Sequence, residues 1–560
     1  MNWRARIVPE RAGPLLLGGA LMGLAHPPFH LLVTSFVALV PFIVWLEGLP
    51  ATAEGRKEAR KGGFLFGLVY YALVLYWLLV ALVFYTWWAF FAFLAPILIL
   101  ATFLSWVAGA IHLARARLRW PMYVVFPVFW TAGEVLRAHL LDVSFPWMQF
   151  GDTLSAYPIL VGAADLVGSR GLSFWLALAN ALAASAFLAY RARGWRALGR
   201  PAAGLLLVLA VPVAYSVARW RTLEVRPVAR VGVVQPNVPQ HLRNTDGAAS
   251  ADSAFRSAAT LTSAWPGRER MDLVLFPETM LGAGILDSLP SYPYPGWTEA
   301  RVWAEGVAEA LDAEVAVGGR GADDLGDREY EPFNSAFHFR PGEGFVNRYD
   351  KRFLVPFVER VPFMPPEWFQ AIPYAGGNFG VGEWQAPIKI VTEAGGAAYG
   401  TMICYESIFS PLARHYRRNG ADFLVNITND SWFGRDAWWS RSSALWQHPA
   451  HLVMRSIETR MGAARSGNTG ISKIVDPLGR VSHRTELFEP ASFVADVTTT
   501  DGLTVYVRFG DVVGTLAALA ALLALGASFL RDRNRRGRGR RGRVQRGTSG
   551  ETVEPASGSA

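Results

Sequence analysis

At 560 residues the chain is long enough for two or more domains, and with 52% hydrophobic and 18% charged residues it is too apolar for an ordinary soluble enzyme. The net charge of +9 does not mark a nucleic-acid binder: nine arginines fall between Arg531 and Arg546, and other basic residues sit between apolar runs, where membrane orientation and anionic headgroups account for them. A single cysteine, Cys404, excludes an intrachain disulfide and any multi-cysteine metal site.

Apolar runs near the roughly 20 residues needed to cross a bilayer in helix lie at 12–27, 30–48, 63–84, 88–113, 121–140, 171–190, 202–218 and 511–530. They predict eight spans with both termini on one side. The segments "MNWRAR", "EGRKEARKG", "ARARLR" and "YRARGWRALGR" and the C-terminal arginines then share one face, which the positive-inside rule makes cytoplasmic. The loop near 141–165 and the domain from about 219 fall on the other side, the periplasm in a bacterium. A basic start followed by an apolar run also describes a signal peptide. Further spans follow at once and the loop charges need the first run for parity, so it is read as an uncleaved helix. The predicted organisation is a polytopic α-helical membrane domain over 1–218 with seven helices, an extracytoplasmic α/β domain over 219–508, a final span over 509–530 and a basic, disordered cytoplasmic tail over 531–560.

Within the α/β domain, strand-like runs such as "ARVGVVQ", "MDLVLFPE", "AEVAVGGR", "AAYGTMICYE" and "ADFLVNITND" alternate with helical patterns such as "WTEARVWAEGVAEALDA" and "WQHPAHLVMRSIETRM". This predicts sheets with helices outside them. No dinucleotide or Walker phosphate loop occurs, so a nucleotide-driven reaction has no support.

Three of these stretches deliver a reactive group: "LVLFPET" ends near Glu278, "FVNRYDKRFLVPF" contains Lys351 and "AAYGTMICYES" presents Cys404. Strand ends let a rigid sheet hold side chains in a pocket. The trio suits acyl transfer through a thioester. A thiol needs help to ionise at neutral pH, Glu278 can take and return its proton, and Lys351 can stabilise an oxyanion together with backbone N–H groups beside Cys404. Each residue alone has a plainer reading: a buried small hydrophobe for Cys404, a helix cap for Glu278, and a salt bridge with Asp350 or a neighbour for Lys351.

The segments "VVQPNVPQ", "FPET", "YDKRFLVPFVERVPF", "ICYE", "TNDSWFG", "WQHPAHLVMRSIETR", "SGNTGIS" and "TDGLTVYVRFGD", with "GEVLRAHLLDVSFPW" and "GLSFWLALANALAA" in the apolar half, resemble the nitrilase superfamily. With spans on both sides they resemble, within it, the apolipoprotein N-acyltransferase family. That resemblance covers roughly residues 10–530. It implies an α-β-β-α sandwich, a Glu278 base, a Lys351 oxyanion stabiliser and a Cys404 nucleophile, with supporting roles for Glu359, Tyr405 and Glu406. It further implies a phospholipid acyl donor, a diacylglyceryl-prolipoprotein acceptor and no cofactor. The localisation it implies is multi-pass in the bacterial inner membrane. The oligomeric state stays open, with a monomer expected. Two departures stand out: Asn244 lies where the family carries a tryptophan, and "RDAWWSRSS" is inserted after "SWFG", its tryptophans suited to a lipid interface or to local packing.

The aromatic, Pro- and Gly-rich stretch 361–384 is nearly free of charge and reads either as a gate at the membrane interface or as a buried connection. Glu134 and Arg137, three apart in the fifth predicted span, read as a functional pair near a headgroup or as a mutually satisfied structural pair. His448 and His451 lie one turn apart without an evident third metal ligand. Two rival readings remain. One keeps the triad but lets water attack, giving a membrane-bound amidase or thioesterase; the other is a transporter or non-catalytic scaffold.

Overall fold

The computed structural model describes residues 9, 11–83, 89–239, 247–263, 265, 270–281, 297–326, 329–363, 379–393 and 395–547. The apolar first part folds as helices α1 (Gly13–Ala25), α2 (Leu32–Val37), α3 (Val40–Glu47), α4 (Ala53–Val74), α5 (Trp77–Val83), α6 (Ala89–Leu118), α7 (Met122–Arg137), α8 (Ala164–Arg193) and α9 (Gly199–Thr222). Among the described residues, α6, α8, α9 and Val512–Arg531 are long and apolar enough to cross a membrane, and α4 with α5 makes a fifth span if the pair, bent by 52°, is counted as one.

By length and composition alone, four or five of the eight spans expected from hydropathy are thus identified, and the other runs fold as shorter helices. The runs at 12–27 and 30–48 fall on α1, of 13 residues, and on α2 and α3, of six and eight. That at 121–140 falls on α7, whose 16 residues reach about 24 Å against a hydrocarbon core of about 30 Å. A hydropathy sum does not register the breaks: Pro27 and Pro28 follow α1 and cannot extend it. The basic stretch expected as a loop is the start of α4, whose N-terminus is capped where Thr52 Oγ1 accepts from Gly55 N at 3.2 Å. Helix α4 lies close on α6, because a Cβ on Gly63 would meet the Ala108 Cβ and the Leu104 carbonyl, each at 2.6 Å.

The remaining helices are α10 (Gly247–Ser263), α11 (Trp297–Leu311), α12 (Ser410–Arg418), α13 (Ala444–Thr459), α14 (Val505–Phe509) and α15 (Val512–Gly547). Helix α15 continues into the arginine-rich stretch expected to be disordered. Arginine is a good helix former, and a helix already nucleated in the apolar segment propagates at small cost.

Between α9 and α14 lie two mixed six-stranded sheets. In the first, β1 (Arg226–Gln235), β2 (Leu273–Leu275) and β3 (Glu314–Gly326) are parallel neighbours, while β4 (Glu329–Arg340) and β5 (Gly344–Asp350) extend the sheet antiparallel from β3. In the second, β6 (Ile388–Ile390) pairs antiparallel with β7 (Ala397–Ile403), which begins the parallel run with β8 (Phe423–Thr428) and β9 (Gly462–Gly467). Strands β10 (Lys473–Val475) and β11 (Val481–Ser482) complete the second sheet, and β12 (Ala491–Thr499) lies antiparallel beside β1 in the first.

Strand periodicity explains the layering. Leu273 and Leu275 share a core with Tyr399, Phe423 and Val425 of the second sheet. Val274, on the opposite face of the same strand, joins Ala254 and Ala258 of α10 and Ala300 and Ala304 of α11. Helices α12 and α13 pack on the second sheet, which gives the α-β-β-α sandwich.

Helix α13 is buried at every position except Trp446 and ties the sandwich to the membrane helices. Helix α8 breaks at Gly168, φ +67°, where a Cβ would lie 2.5 Å from the Tyr506 ring. The buried start of its next segment is capped from the other domain: Ser169 N and Oγ donate to Glu458 Oε1 at 2.8 and 2.6 Å. Arg455 pairs with Glu458 at 2.7 Å, and Arg460 Nε donates to Asp165 at 3.0 Å. Gln447 Nε2 donates to the Val74 and Pro27 carbonyls at 3.1 and 3.2 Å, while its Oε1 accepts from Trp147 Nε1 at 2.8 Å.

Removing one partner of a fully buried pair leaves the other charge stranded. Arg455→Met is therefore expected to lower stability by about 3–5 kcal/mol, read as a large drop in melting temperature in detergent, with partial recovery in Arg455→Met/Glu458→Gln.

Candidate active site

The three reactive residues sit at the ends of β2, β5 and β7. Glu278 follows β2 through Phe276 and Pro277, and backbone bonds on both sides clamp that turn: Phe276 N to Ala316 O at 2.9 Å, Gly318 N to Pro277 O at 3.2 Å and Leu281 N to Gly318 O at 3.1 Å. The turn lies so near β3 that a Cβ on Gly318 would fall 2.6 Å from the Glu278 Cα. Lys351 directly follows β5; its N–H donates to Asn334 O at 2.8 Å, and its carbonyl accepts from Gly382 N at 3.0 Å. Cys404 directly follows β7 with φ +50°, a left-handed conformation rare for a side chain of this kind. Strain of this sort persists where neighbours over-determine it, here at the step from β7 into the turn Cys404–Ile408.

The structure brings Glu278, Lys351 and Glu359 into one buried cluster. Lys351 Nζ donates to Glu359 Oε1 at 2.9 Å and to Glu278 Oε1 at 3.4 Å. Asn334 Nδ2 donates to the same two oxygens, at 2.7 Å each. The other oxygens are held by backbone: Glu278 Oε2 by Asn429 N at 2.9 Å, and Glu359 Oε2 by Val355 N at 2.8 Å. Burial works against the Lys351 ammonium, but the Glu359 and Glu278 carboxylates outweigh it and hold its pKa above the ordinary lysine value. The salt bridge with Asp350 considered from sequence is not formed; Asp350 pairs with Arg348 at 2.8 Å.

Burial is also the largest influence on Cys404. It pushes the thiol well above its usual range, the Glu278 charge adds to this, and Lys351 and the Thr428 hydroxyl oppose it. The resting residue is thus a thiol beside a carboxylate, and attack by sulfur must be accompanied by loss of its proton.

Glu406 braces both the Cys404 and the Lys351 turns. Its Oε2 accepts from Ile403 N at 2.7 Å, and its Oε1 from Tyr349 Oη and Arg352 N at 2.8 Å and from Phe353 N at 3.1 Å. Tyr405 points toward the membrane part: its hydroxyl donates to Ser144 O at 3.3 Å, and its ring stacks 6.5 Å from that of Trp147. Sequence reasoning thus grouped all six residues, of which Glu278, Lys351 and Glu359 meet directly, while Glu406 and Tyr405 position the turn that carries Cys404.

It missed a second buried network behind the sulfur. His448 Nε2 donates to the Cys404 carbonyl at 2.9 Å, and Nδ1 faces Asp430 Oδ1 at 2.8 Å. Arg465 Nη2 donates to Asp430 Oδ2 at 2.7 Å. Burial opposes the Asp430 charge, but the Arg465 and His448 charges override it and hold this carboxyl well below the usual range. These residues occur within "TNDSWFG", "WQHP" and "GAARSG"; the signal available was a polar residue just past one apolar strand, one inside another strand and one on a helix. His451 is buried beside Asp152 at 3.6 Å, and no group of three metal-ligating residues occurs among the described residues.

Glu134 and Arg137 are each bonded to the loop that follows α7. Glu134 Oε1 accepts from Phe150 N at 2.8 Å, and Arg137 Nη1 donates to Trp147 O at 3.0 Å. Asn244 and residues 364–378 of the proposed gate lie outside the described residues. At the ends of that stretch, Phe363 N donates to Asp142 Oδ2 at 3.0 Å, and Arg352 stacks 4.5 Å over the Trp384 ring. In the insertion, Trp438 and Trp439 are 83% and 65% exposed, which the local-packing reading does not meet.

Comparisons with known proteins fall on both parts of the chain. Residues 18–182 match the family described as apolipoprotein N-acyltransferase N-terminal domain, and residues 230–501 match carbon-nitrogen hydrolase. A protein of Geobacter metallireducens named apolipoprotein N-acyltransferase is 30% identical over 525 residues, covering 92% of this chain and 95% of that one. A namesake from Chlorobaculum tepidum is 30% identical over 542 residues, covering 92% and 96%. Among solved structures, an amidase from Nesterenkonia sp. aligns with 51% of this chain and 95% of its own, at 18% identity and a TM-score of 0.32.

Burial, the largest influence, pushes the Glu406 carboxyl up to about 7 against its hydrogen-bond donors. A carboxyl that titrates higher in the folded than in the unfolded state keeps a proton the unfolded chain releases, so its contribution to stability falls as pH rises from about 4.5 to 7. Denaturation midpoints followed against pH should show this slope in the wild type and a weaker one in Glu406→Gln. The same variant turns an amide toward backbone donors, and a rate loss of about tenfold or more is expected from the loosened Cys404 turn.

Proposed function

Because the chain belongs to the apolipoprotein N-acyltransferase family, we propose that its acyl transfer runs through Cys404, with Glu278 as proton carrier and Lys351 as oxyanion partner. The enzyme is an acyltransferase of lipoprotein maturation, built as a nitrilase-type domain joined to membrane helices. The observation that carries the residue assignment is the contact of Lys351 Nζ with Glu278 and Glu359 at 3.4 and 2.9 Å, next to the strained Cys404 turn.

In the first half-reaction Cys404 Sγ attacks an ester carbonyl carbon of a membrane phospholipid while the thiol proton passes to Glu278. The carbonyl oxygen becomes an oxyanion beside the Lys351 ammonium, whose charge the surrounding carboxylates maintain. Collapse breaks the carbon–oxygen bond, Glu278 returns the proton to the departing glycerol oxygen, and a lysophospholipid leaves the thioester behind. In the second half, the α-amine of a diacylglyceryl-cysteine attacks the thioester carbon and gives its proton to Glu278. The amide forms, and the proton restores the thiol. Atoms balance without a cofactor. Glu359 and Asn334 orient Lys351 and Glu278 and touch neither substrate in this scheme.

The catalytic domain faces the periplasm in this reading. In support, the basic start of α4 and the ends of α6 and α8, with Arg115, Arg117, Arg191 and Arg193, lie at the helix ends away from Gln447 and Tyr405, as the positive-inside rule requires of a cytoplasmic face.

Incubation with a phospholipid labelled in its acyl chains and a diacylated lipopeptide with a free α-amine tests this reading. Label should move into the lipopeptide amide, at a rate reduced by about 10²-fold or more in Glu278→Gln and in Lys351→Met. Release of labelled fatty acid without transfer would identify a hydrolase instead, and unchanged transfer in both variants would remove the triad from the mechanism.

A further inference from the structure

A groove of about 680 Å³ lies between α6, α7 and α15. Its walls are largely apolar, with Phe103, Trp106 and Val107 from α6, Phe129 and Leu136 from α7, and Leu525 from α15. None of the residues of the acyl-transfer site lines it. The volume is within the range of about 300–1,000 Å³ usual for small-ligand sites.

One end of the groove is cationic. Arg56 and Arg60 of α4 line it and also line a neighbouring cavity of about 450 Å³, where Lys57, Lys61, Phe64 and Ser105 join them. Lys61 is paired with Glu58 at 3.1 Å. Arg56, Lys57 and Arg60 form no ion pair among the described residues, and the Arg60 guanidinium stacks 3.8 Å over the Trp106 ring, at the wall of the groove. The cations therefore form a headgroup-sized chamber opening onto an apolar channel.

This chamber is remote from the chemistry. Val74, at the other end of α4, accepts from Gln447 of the catalytic domain, and Arg56 lies 18 residues earlier in the same helix, about 27 Å away. Arg531 Nη1 donates to Arg117 O at 3.0 Å, joining α15 to the end of α6. Basic pockets between membrane helices attract anionic headgroups, and each cation near the surface adds to the attraction. A zwitterionic phospholipid would fill the channel but bring its own headgroup cation among the three, so that its phosphate gains less there than that of a lipid with net negative charge.

We propose that the groove between α6, α7 and α15, with Arg56, Lys57 and Arg60 at its mouth, binds an anionic glycerophospholipid of the leaflet opposite the catalytic domain, separate from the acyl donor. Its phosphate lies among the three cations and an acyl chain fills the groove, so the lipid bridges α15 to α6 and α7. The occupant is a bilayer lipid and not free phosphate, because the chamber continues into an apolar channel between spans.

Native mass spectrometry of the full chain, delipidated in neutral detergent and given equimolar phosphatidylglycerol and phosphatidylcholine, tests this. The wild type should retain phosphatidylglycerol over phosphatidylcholine by about tenfold or more. R56Q/K57Q/R60Q should abolish the preference. A132F/A518F, which fills the groove with every cation kept, should reduce phosphatidylglycerol retention, while a phosphatidylglycerol-dependent rise in melting temperature disappears with it. Equal retention of the two lipids by the wild type, an undiminished preference in the charge variant, or undiminished retention in the filled groove would each overturn the proposal. None of these readouts depends on acyl transfer, so they stand or fall apart from the catalytic assignment.

Discussion

A buried ammonium held between two carboxylates is the constraint on which the catalytic domain is built. Lys351, Glu278 and Glu359 are nearly excluded from water, and a lone charge there would cost several kcal/mol. Their mutual contacts, the shared Asn334 amide and the Asn429 and Val355 N–H groups supply the compensation. To bring these groups together, the ends of β2 and β5 must stop at fixed positions, and the β7 end must carry Cys404 up to them. The close approach at Gly318 and the positive φ at Cys404 are local consequences of that demand.

The same cluster decides how the thiol is used. A cysteine pushed up by burial and by a neighbouring carboxylate is not a standing thiolate, so its reactivity depends on where the proton goes at the moment of attack. In the proposed scheme Glu278 accepts it, and Lys351 keeps its charge because the carboxylates hold its pKa high. The coupling to the membrane enters through α13 and the Cys404 turn. His448 of α13 holds the Cys404 carbonyl, Gln447 reaches the Val74 carbonyl and Trp147, and Tyr405 contacts Ser144. The Cys404 turn is therefore anchored to the membrane helices through one buried junction.

Much of this was legible because strands advertise themselves. "LVLFPE" and "TMICYE" run apolar into a reactive side chain, "FVNRYDK" reaches Lys351 through a strand of mixed polarity, and the alternation at Leu273, Val274 and Leu275 separates the two cores. What was not legible depends on contacts between distant positions. Asn334 reads as an unremarkable strand residue until Glu278 and Glu359 arrive from 56 and 25 positions away. Asp430 looks like loop polarity and His448 like a polar position on a helix until β7 brings the Cys404 carbonyl beside His448. The breaks within the apolar runs stay hidden for the opposite reason: hydropathy is a local sum, and it runs across the Pro27–Pro28 break, the short α7 and the bent α4–α5 pair without registering them.

The most direct test of the account is the intact mass of the purified enzyme after exposure to phospholipid alone. A single acyl adduct should appear on the wild type, should map to Cys404, and should disappear when a diacylated lipopeptide with a free amine is added; Cys404→Ser should show no adduct discharged by that amine. Transfer to the lipopeptide by Cys404→Ala, or an adduct that maps to another residue, would contradict it.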